Sequence, residues 1–341
     1  MVDTVRIGVT GLGGLGTPLA REIDAVADAE VVAVADVSDE ARRSGAEEFG
    51  VPDDQRYESH EAMLDGADLD GVAIATPHAL HHEQVVAALE REIDTLCEKP
   101  LCVDLDHARD LVDRSEASDA ALMVGYQRHL SPAFQRAREA LDERVGDPQF
   151  LSASITQNWI THQRGTWRAN PDLSGGGQLY DTGSHVLDAL LWTTGLTPVS
   201  VSAQMRFDDE AERVDVQAAL DVAFENGAVA SVGVSGDSPV VREHLDVWGE
   251  QGGFRVRGSD WGERDLDFVD DENNAHAPEH EGESRNKGTA FVDVIRDGAE
   301  PPATARDALK VTAVTEAAYE SARTGRRVDV DLRTEPRVEA D

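Results

Sequence analysis

One stretch near the start limits the possible folds more than any other. The β-branched run Val5–Thr10, VRIGVT, passes directly into Gly11-Leu12-Gly13-Gly14-Leu15-Gly16, and a helical pattern follows to about residue 26. Glycines in the order G-x-G-x-x-G, set between a strand and a helix, form a turn that holds a dinucleotide pyrophosphate. Gly11 permits the tight turn, Gly13 lets the backbone approach the ligand, and Gly16 lets helix and strand pack closely. The helix start, with Leu12, Gly14 and Leu15 completing the loop, offers amide hydrogens and a positive dipole to the anion.

The rest of the first half repeats the same unit. A second strand pattern at 31–35 ends at Asp36, the distance at which an acid reaches the ribose hydroxyls. A carboxylate there repels a 2′-phosphate, so NAD is expected over NADP. Arg42 and Arg43 on the next helix leave NADP possible. Helical patterns at 59–65, 81–92 and 105–115 alternate with strand patterns at 71–75, 95–97 and 121–125. Such alternation predicts an α/β fold with a doubly wound parallel sheet. Ligands of these sheets sit at the carboxyl ends of the strands. Two loops lie there: Thr76-Pro77-His78, followed by His81, and Glu98-Lys99-Pro100. His78 and His81 have no carboxylate or thiolate to complete a metal set, so no metal is expected.

After residue 125 the pattern changes. A helix at about 132–143 leads to strand patterns from Phe150, and these resume at 199–207, 214–224, 228–235, 244–249 and 253–256. They predict an α+β domain on a large, mostly antiparallel open sheet, one face bearing helices and the other free to cover a partner subunit. The expected division is 1–125 and 126–335, with no flexible linker. A mobile loop is expected at 270–286, helices at 289–296 and 303–323, and a frayed tail at 335–341. Between the strands stands S-G-G-G-Q-L-Y-D-T-G-S-H-V-L-D, residues 174–188, where Asp181 and His185 are four apart at a predicted helix start. An acid beside an imidazole can tune a general base, and it can equally be a surface pair.

Composition adds boundaries. The 341 residues hold 67 acidic against 31 basic side chains, a net charge of −36. Lys99, Lys287 and Lys310 are the only lysines. Acid excess with arginine in place of lysine suggests a protein adapted to concentrated salt, which screens the self-repulsion. No basic stripe exists for nucleic acid, and no apolar run reaches the length of a membrane span. Residues 1–20 lack a signal peptide's features, and Cys97 and Cys102 fit no metal or redox spacing, so a cytoplasmic protein is expected.

These pieces together resemble the glucose–fructose oxidoreductase, inositol dehydrogenase and MocA (Gfo/Idh/MocA) family, and in composition a haloarchaeal member of it. The matching motifs are G-L-G-G-L-G at 11–16, A-T-P-H-x-x-H at 75–81, C-E-K-P-L at 97–101, V-G-Y-Q-R at 124–128, the 174–188 segment, and A-A-Y-x-S-A-R-x-G-R-R-V at 317–328. The family often has asparagine where His78 stands. The resemblance implies a Rossmann domain and an open-sheet domain, with substrate between them against the nicotinamide. It implies an NAD(P)-dependent dehydrogenase of a sugar, polyol or related hydroxylated molecule. It makes Lys99 the group beside the reacting oxygen, His185 the proton acceptor and Asp181 its support. His185 resembles the inositol-dehydrogenase variant, where other members have tyrosine. Lysine suits the first role because, unlike arginine, it is compact and its pKa falls on desolvation. Pro100 shapes that turn, and a cis bond would suit it. Arg128, Trp159, Trp167 and Arg168 are candidate substrate contacts. A homodimer or homotetramer through the second sheet is expected. Two other readings stay open: a non-catalytic dinucleotide sensor, and a sugar–sugar oxidoreductase with tightly held cofactor.

Overall fold

The computed structural model describes residues 4–278 and 284–333. Strands β1 (Val5–Thr10), β2 (Ala29–Ala35), β3 (Arg56–Tyr57), β4 (Gly71–Ile74), β5 (Asp94–Cys97) and β6 (Leu122–Val124) form a parallel sheet in the order β3-β2-β1-β4-β5-β6. The reversal between β1 and β4 opens the crevice where doubly wound folds bind dinucleotides. β4 is buried along its whole length, as a strand covered on both faces must be. β3, only two residues long, has too little pattern to be read from the sequence.

The first turn is built as its glycines require. Gly11 has φ +86°, a region that side chains disfavour. A Cβ on Gly16 would lie 1.7 Å from the Gly11 carbonyl oxygen, so no larger residue fits. The helix Gly16–Asp24 that follows has no side-chain cap at its N-terminus.

The second sheet comprises β7 (Pro148–Thr156), β8 (Pro198–Phe207), β9 (Asp215–Phe224), β10 (Val229–Ser235), β11 (Arg242–Gly249), β12 (Gly252–Ser259), β13 (Arg264–Asp270), β14 (Ala275–His276) and β15 (Val328–Asp329). Its order is β14-β13-β12-β11-β7-β10-β9-β8-β15, and only β7 and β10 pair in parallel. Strict alternation in β9 turns Val216, Ala218, Leu220 and Val222 into the core while Gln217, Ala219 and Asp221 face outward. The helices Ser184–Thr194 and Ala305–Thr324 belong to the core on the inner face.

Three sequence expectations differ from the structure. β13 was not expected; its charged outer residues mask three buried ones, Leu266, Phe268 and Val269. The supposed loop at 270–286 contains β14, and its residues 279–283 lie outside the described residues, as does the supposed tail. The helix Lys287–Asp297 does not join the second sheet. Phe291, Ala290, Val292 and Val294 pack with Ile7, Val9 and Leu19 of the first sheet's core.

Candidate active site

The crevice at the ends of β4 and β5 receives side chains from both halves. The turn Glu98-Lys99-Pro100 follows β5, and its Lys99–Pro100 peptide is cis. Lys99 is buried and reaches across to the second half. Its Nζ donates to the Asp181 carbonyl oxygen at 2.8 Å and to Asp181 Oδ1 at 3.0 Å. An ammonium has three protons, so one remains for a further acceptor.

Asp181 is the hub. Its Oδ1 also accepts from Arg168 Nη1 at 2.8 Å, and its Oδ2 from Trp159 Nε1 at 2.7 Å. Burial alone would raise its pKa, but Lys99 and Arg168 hold it well below the usual carboxylate range. Burial pulls the Lys99 pKa down, and Asp181 acts against that fall.

The Gly-Gly-Gly segment makes this approach possible. A Cβ on Gly177 would lie 2.0 Å from the Asp215 carbonyl oxygen. Asp215 Oδ1 accepts from the Gly177 N–H at 3.2 Å, its Oδ2 from the Leu179 N–H at 3.0 Å, and the Tyr319 hydroxyl bonds to the same carboxylate. The chain then makes a π turn, Leu179–Gly183, before the helix Ser184–Thr194.

That π turn corrects one expectation. Asp181 is not hydrogen-bonded to His185, because the extra residue in the turn breaks the α-helical register on which four-apart spacing depends. His185 Nδ1 has no hydrogen-bond partner and is buried. Burial first, and then the charges of Lys99, Arg128, Lys287 and Arg264, push the His185 pKa well below its ordinary value. The ring is therefore a neutral imidazole at neutral pH. Asp188, one helical turn further on, serves another histidine: His129 Nε2 bonds its Oδ1 at 2.9 Å.

Other expected contacts are also reassigned. His81 has no exposed surface; its ring nitrogens meet the carbonyls of Pro100 at 2.8 Å and Thr76 at 3.0 Å. It ties the two strand-end loops together, so no cofactor contact is open to it. His78 is buried, bonded to the Ser174 carbonyl at 3.0 Å and set edge-on to Trp167. Trp159 is buried and committed to Asp181, so it offers no face to a sugar. Glu98 is buried and pairs with Lys287. Arg128 is buried, with Nε and Nη2 in a two-toothed pair with Glu243 at 3.1 and 2.9 Å and Nη1 left without a partner. Trp167 and Arg168 remain half-buried at the crevice, the guanidinium 4.4 Å from the indole centre.

Three residues near His185, namely Glu243, Trp261 and Arg264, carried no local sequence signal, and a fourth, Lys287, stood out only through the scarcity of lysine. Arg264 Nε donates to Glu243 Oε2 at 2.9 Å, and the His185 and Trp261 ring centres are 6.3 Å apart. Trp261, Arg264, Lys287 and Arg128 line a cavity of about 600 Å³.

The cofactor loop fits a dinucleotide. Gly13 and Gly14 are exposed, with open space where a Cβ would stand, and the helix N-terminus behind them lacks a side-chain cap. Thr76 and Pro77 are half-buried at the end of β4. Asp36, after β2, accepts the N–H of Leu12 and of Ser38, each at 2.8 Å, and so faces the glycine loop. Arg42 Nη1 is turned to the Asp36 carbonyl at 2.6 Å.

Fold and loop together define an NAD(P)-dependent oxidoreductase. Residues 5–126 match the model of an oxidoreductase family with an NAD-binding Rossmann fold, and residues 134–255 match the GFO/IDH/MocA C-terminal domain. The chain belongs to the Gfo/Idh/MocA family. It is similar to D-xylose 1-dehydrogenase (NADP(+)) 2 of Haloferax volcanii, 28% identical over 96% of this chain and 100% of that one. Inositol 2-dehydrogenase of Agrobacterium fabrum is 31% identical over 62% of this chain and 60% of its own. Among solved structures, aldose-aldose oxidoreductase from Caulobacter crescentus superposes with a TM-score of 0.84 at 23% identity, covering 96% of this chain and 99% of that one. Among the described residues no group of three or more His, Cys, Asp or Glu could hold a metal ion, and no helix is long and apolar enough to cross a membrane.

Proposed function

We propose that the protein is an NAD(P)-dependent dehydrogenase of a sugar, polyol or related hydroxylated small molecule, with Lys99 and His185 as catalytic residues. One observation supports this reading above others: a buried ammonium from the first half lies close enough to a buried, unpartnered imidazole from the second for its charge to lower the His185 pKa. Bound NAD(P) supplies the hydride acceptor. His185, neutral and without a competing hydrogen bond, takes the hydroxyl proton of the substrate. The spare proton of Lys99 stabilises the alkoxide that develops, an interaction worth most in a water-poor site. Asp181 acts on Lys99, holding its Nζ in place and keeping it charged.

Asp36 favours NAD, since a 2′-phosphate would meet a carboxylate. The xylose dehydrogenase relative uses NADP by name, and both cofactors belong in the assay. We assign 1–125, completed by the helix Lys287–Asp297, to the cofactor domain and the remainder of 126–335 to the substrate domain. The outward residues of β7, β9 and β10 supply the face for a homodimer or homotetramer, and the cytoplasm is the proposed compartment. A screen of aldoses, polyols and sugar acids in molar KCl, read by nicotinamide absorbance with each cofactor, tests the reading. Dinucleotide binding without turnover across that panel would refute it in favour of a sensor.

A further inference from the structure

Two ionic clusters flank His185, and each contains one more cation than anion. Lys99 and Arg168 share Asp181; Arg128 and Arg264 share Glu243. Lys287 and Glu98 form a balanced pair. In a chain of net charge −36, two cation-rich clusters acting on one imidazole are out of keeping with the overall composition.

The first surplus has a use, because an alkoxide develops beside Lys99. The second has none in that reaction. It is also well buried: the side chains of Arg128, Glu243 and Arg264 are 1%, 2% and 6% exposed. A buried, uncompensated charge is costly unless something neutralises it. Arg128 adds an independent sign, since its Nη1 is buried without a hydrogen-bond partner. Arg128 is among the residues around the 600 Å³ cavity, and its guanidinium carbon lies 5.7 Å from the ring centre of Trp261, a residue 46% exposed. The cavity wall also carries two carboxylates, Glu22 and Glu263, and two cations that are already paired, Lys287 and Arg285; none of them is bonded to the Arg–Glu–Arg cluster. Glu22 accepts the N–H of Lys287 at 3.1 Å and of Gly288 at 3.3 Å, Arg285 pairs with Asp293, and Glu263 is exposed.

We propose that the substrate is a sugar acid whose carboxylate, remote from the reacting hydroxyl, is bound by Arg128 and Arg264 while its carbon face rests on Trp261. This rests on the dehydrogenase reading and names its substrate class. A carboxylate brings one negative charge, the amount the Arg–Glu–Arg cluster lacks. A phosphate brings about −1.5 to −2 near neutral pH and would overcompensate. Burial protects the pairing from the salt that screens exposed charges.

The test compares kcat/KM, with NAD and NADP in molar KCl, for D-xylose, D-glucose and myo-inositol, for D-xylonate, D-gluconate and D-glucuronate, and for glucose 6-phosphate. The expected result is at least a tenfold preference for an acid over its neutral counterpart and over the phosphate. Arg264→Gln removes the surplus charge and brings the acid-to-neutral ratio close to one, while Arg264→Lys retains most of it. The ratio is informative even where the variant lowers overall activity. Preference for neutral sugars or for the phosphate, or an unchanged ratio in Arg264→Gln, overturns the inference and leaves the dehydrogenase reading standing. No turnover of any compound overturns both.

Discussion

Replacing Asp181 by asparagine separates two roles that the sequence alone could not. In wild type its carboxylate receives Trp159, Arg168 and Lys99 at 2.7, 2.8 and 3.0 Å. The amide keeps one acceptor, presents a donor to the other side and takes the shared carboxylate from buried Lys99 and half-buried Arg168. Removing one partner of a buried ion pair costs about 3–5 kcal/mol, so a loss of that size is expected in denaturant unfolding at pH 7 in molar KCl. Because the carboxyl pKa lies below 3.8 in the fold, the stability it contributes is present above about pH 4 and is lost as pH falls. The gap between wild type and variant therefore narrows below pH 4. Activity gives the sharper reading. Asp181 raises the Lys99 pKa, so its removal lowers that pKa and moves the basic limb of the kcat/KM profile to lower pH. The acidic limb, set by His185 and the cations around it, stays in place. An acidic limb that shifts while the basic limb stays would refute this reasoning and return Asp181 to the role of histidine support.

Three further outcomes are expected. Lys99→Met lowers kcat by about a hundredfold or more if one preorganised electrostatic donor is lost; near-normal turnover in steady-state assays would reject that role. Asp36→Ser removes the acceptor of the Leu12 N–H and the repulsion of a 2′-phosphate, so the NAD to NADP ratio of kcat/KM falls at least tenfold, and an unchanged ratio would count against the assignment. Thermal unfolding occurs at higher temperature in molar KCl than in dilute buffer, and equal midpoints would sink the account of the acidic surface as a salt adaptation.

The parts legible in the sequence were those set by neighbours along the chain. Gly11 and Gly16 are dictated by a single turn, and β9 announces itself through alternation. Lys99 stands out because the chain otherwise avoids lysine. What could not be read depends on partners far away. Glu243 is 115 residues from Arg128 and 21 from Arg264, and no spacing rule joins them. The π turn was hidden for another reason. Residues 179–183 fit an ordinary helix by composition, and the groups bonded to the chain at the turn's start, Asp215 and Tyr319 on the N–H groups of Gly177 and Leu179, come from far along the sequence. Sequence spacing therefore brought Asp181 to the site but gave it to the wrong neighbour.

The helix Lys287–Asp297 carries a consequence for biosynthesis. Phe291 fills the core of a lobe whose six strands precede it by more than 160 residues of chain, and Lys287 closes the charge on Glu98 next to Lys99. The apolar positions that Phe291, Val292 and Val294 cover on the first lobe are covered by residues synthesised late in the chain. Completion of the first lobe's core therefore rests on a helix synthesised after most of the second lobe. A fragment ending at the close of the first sheet would emerge as a sticky, half-finished body, and cellular chaperones would be its natural custodians.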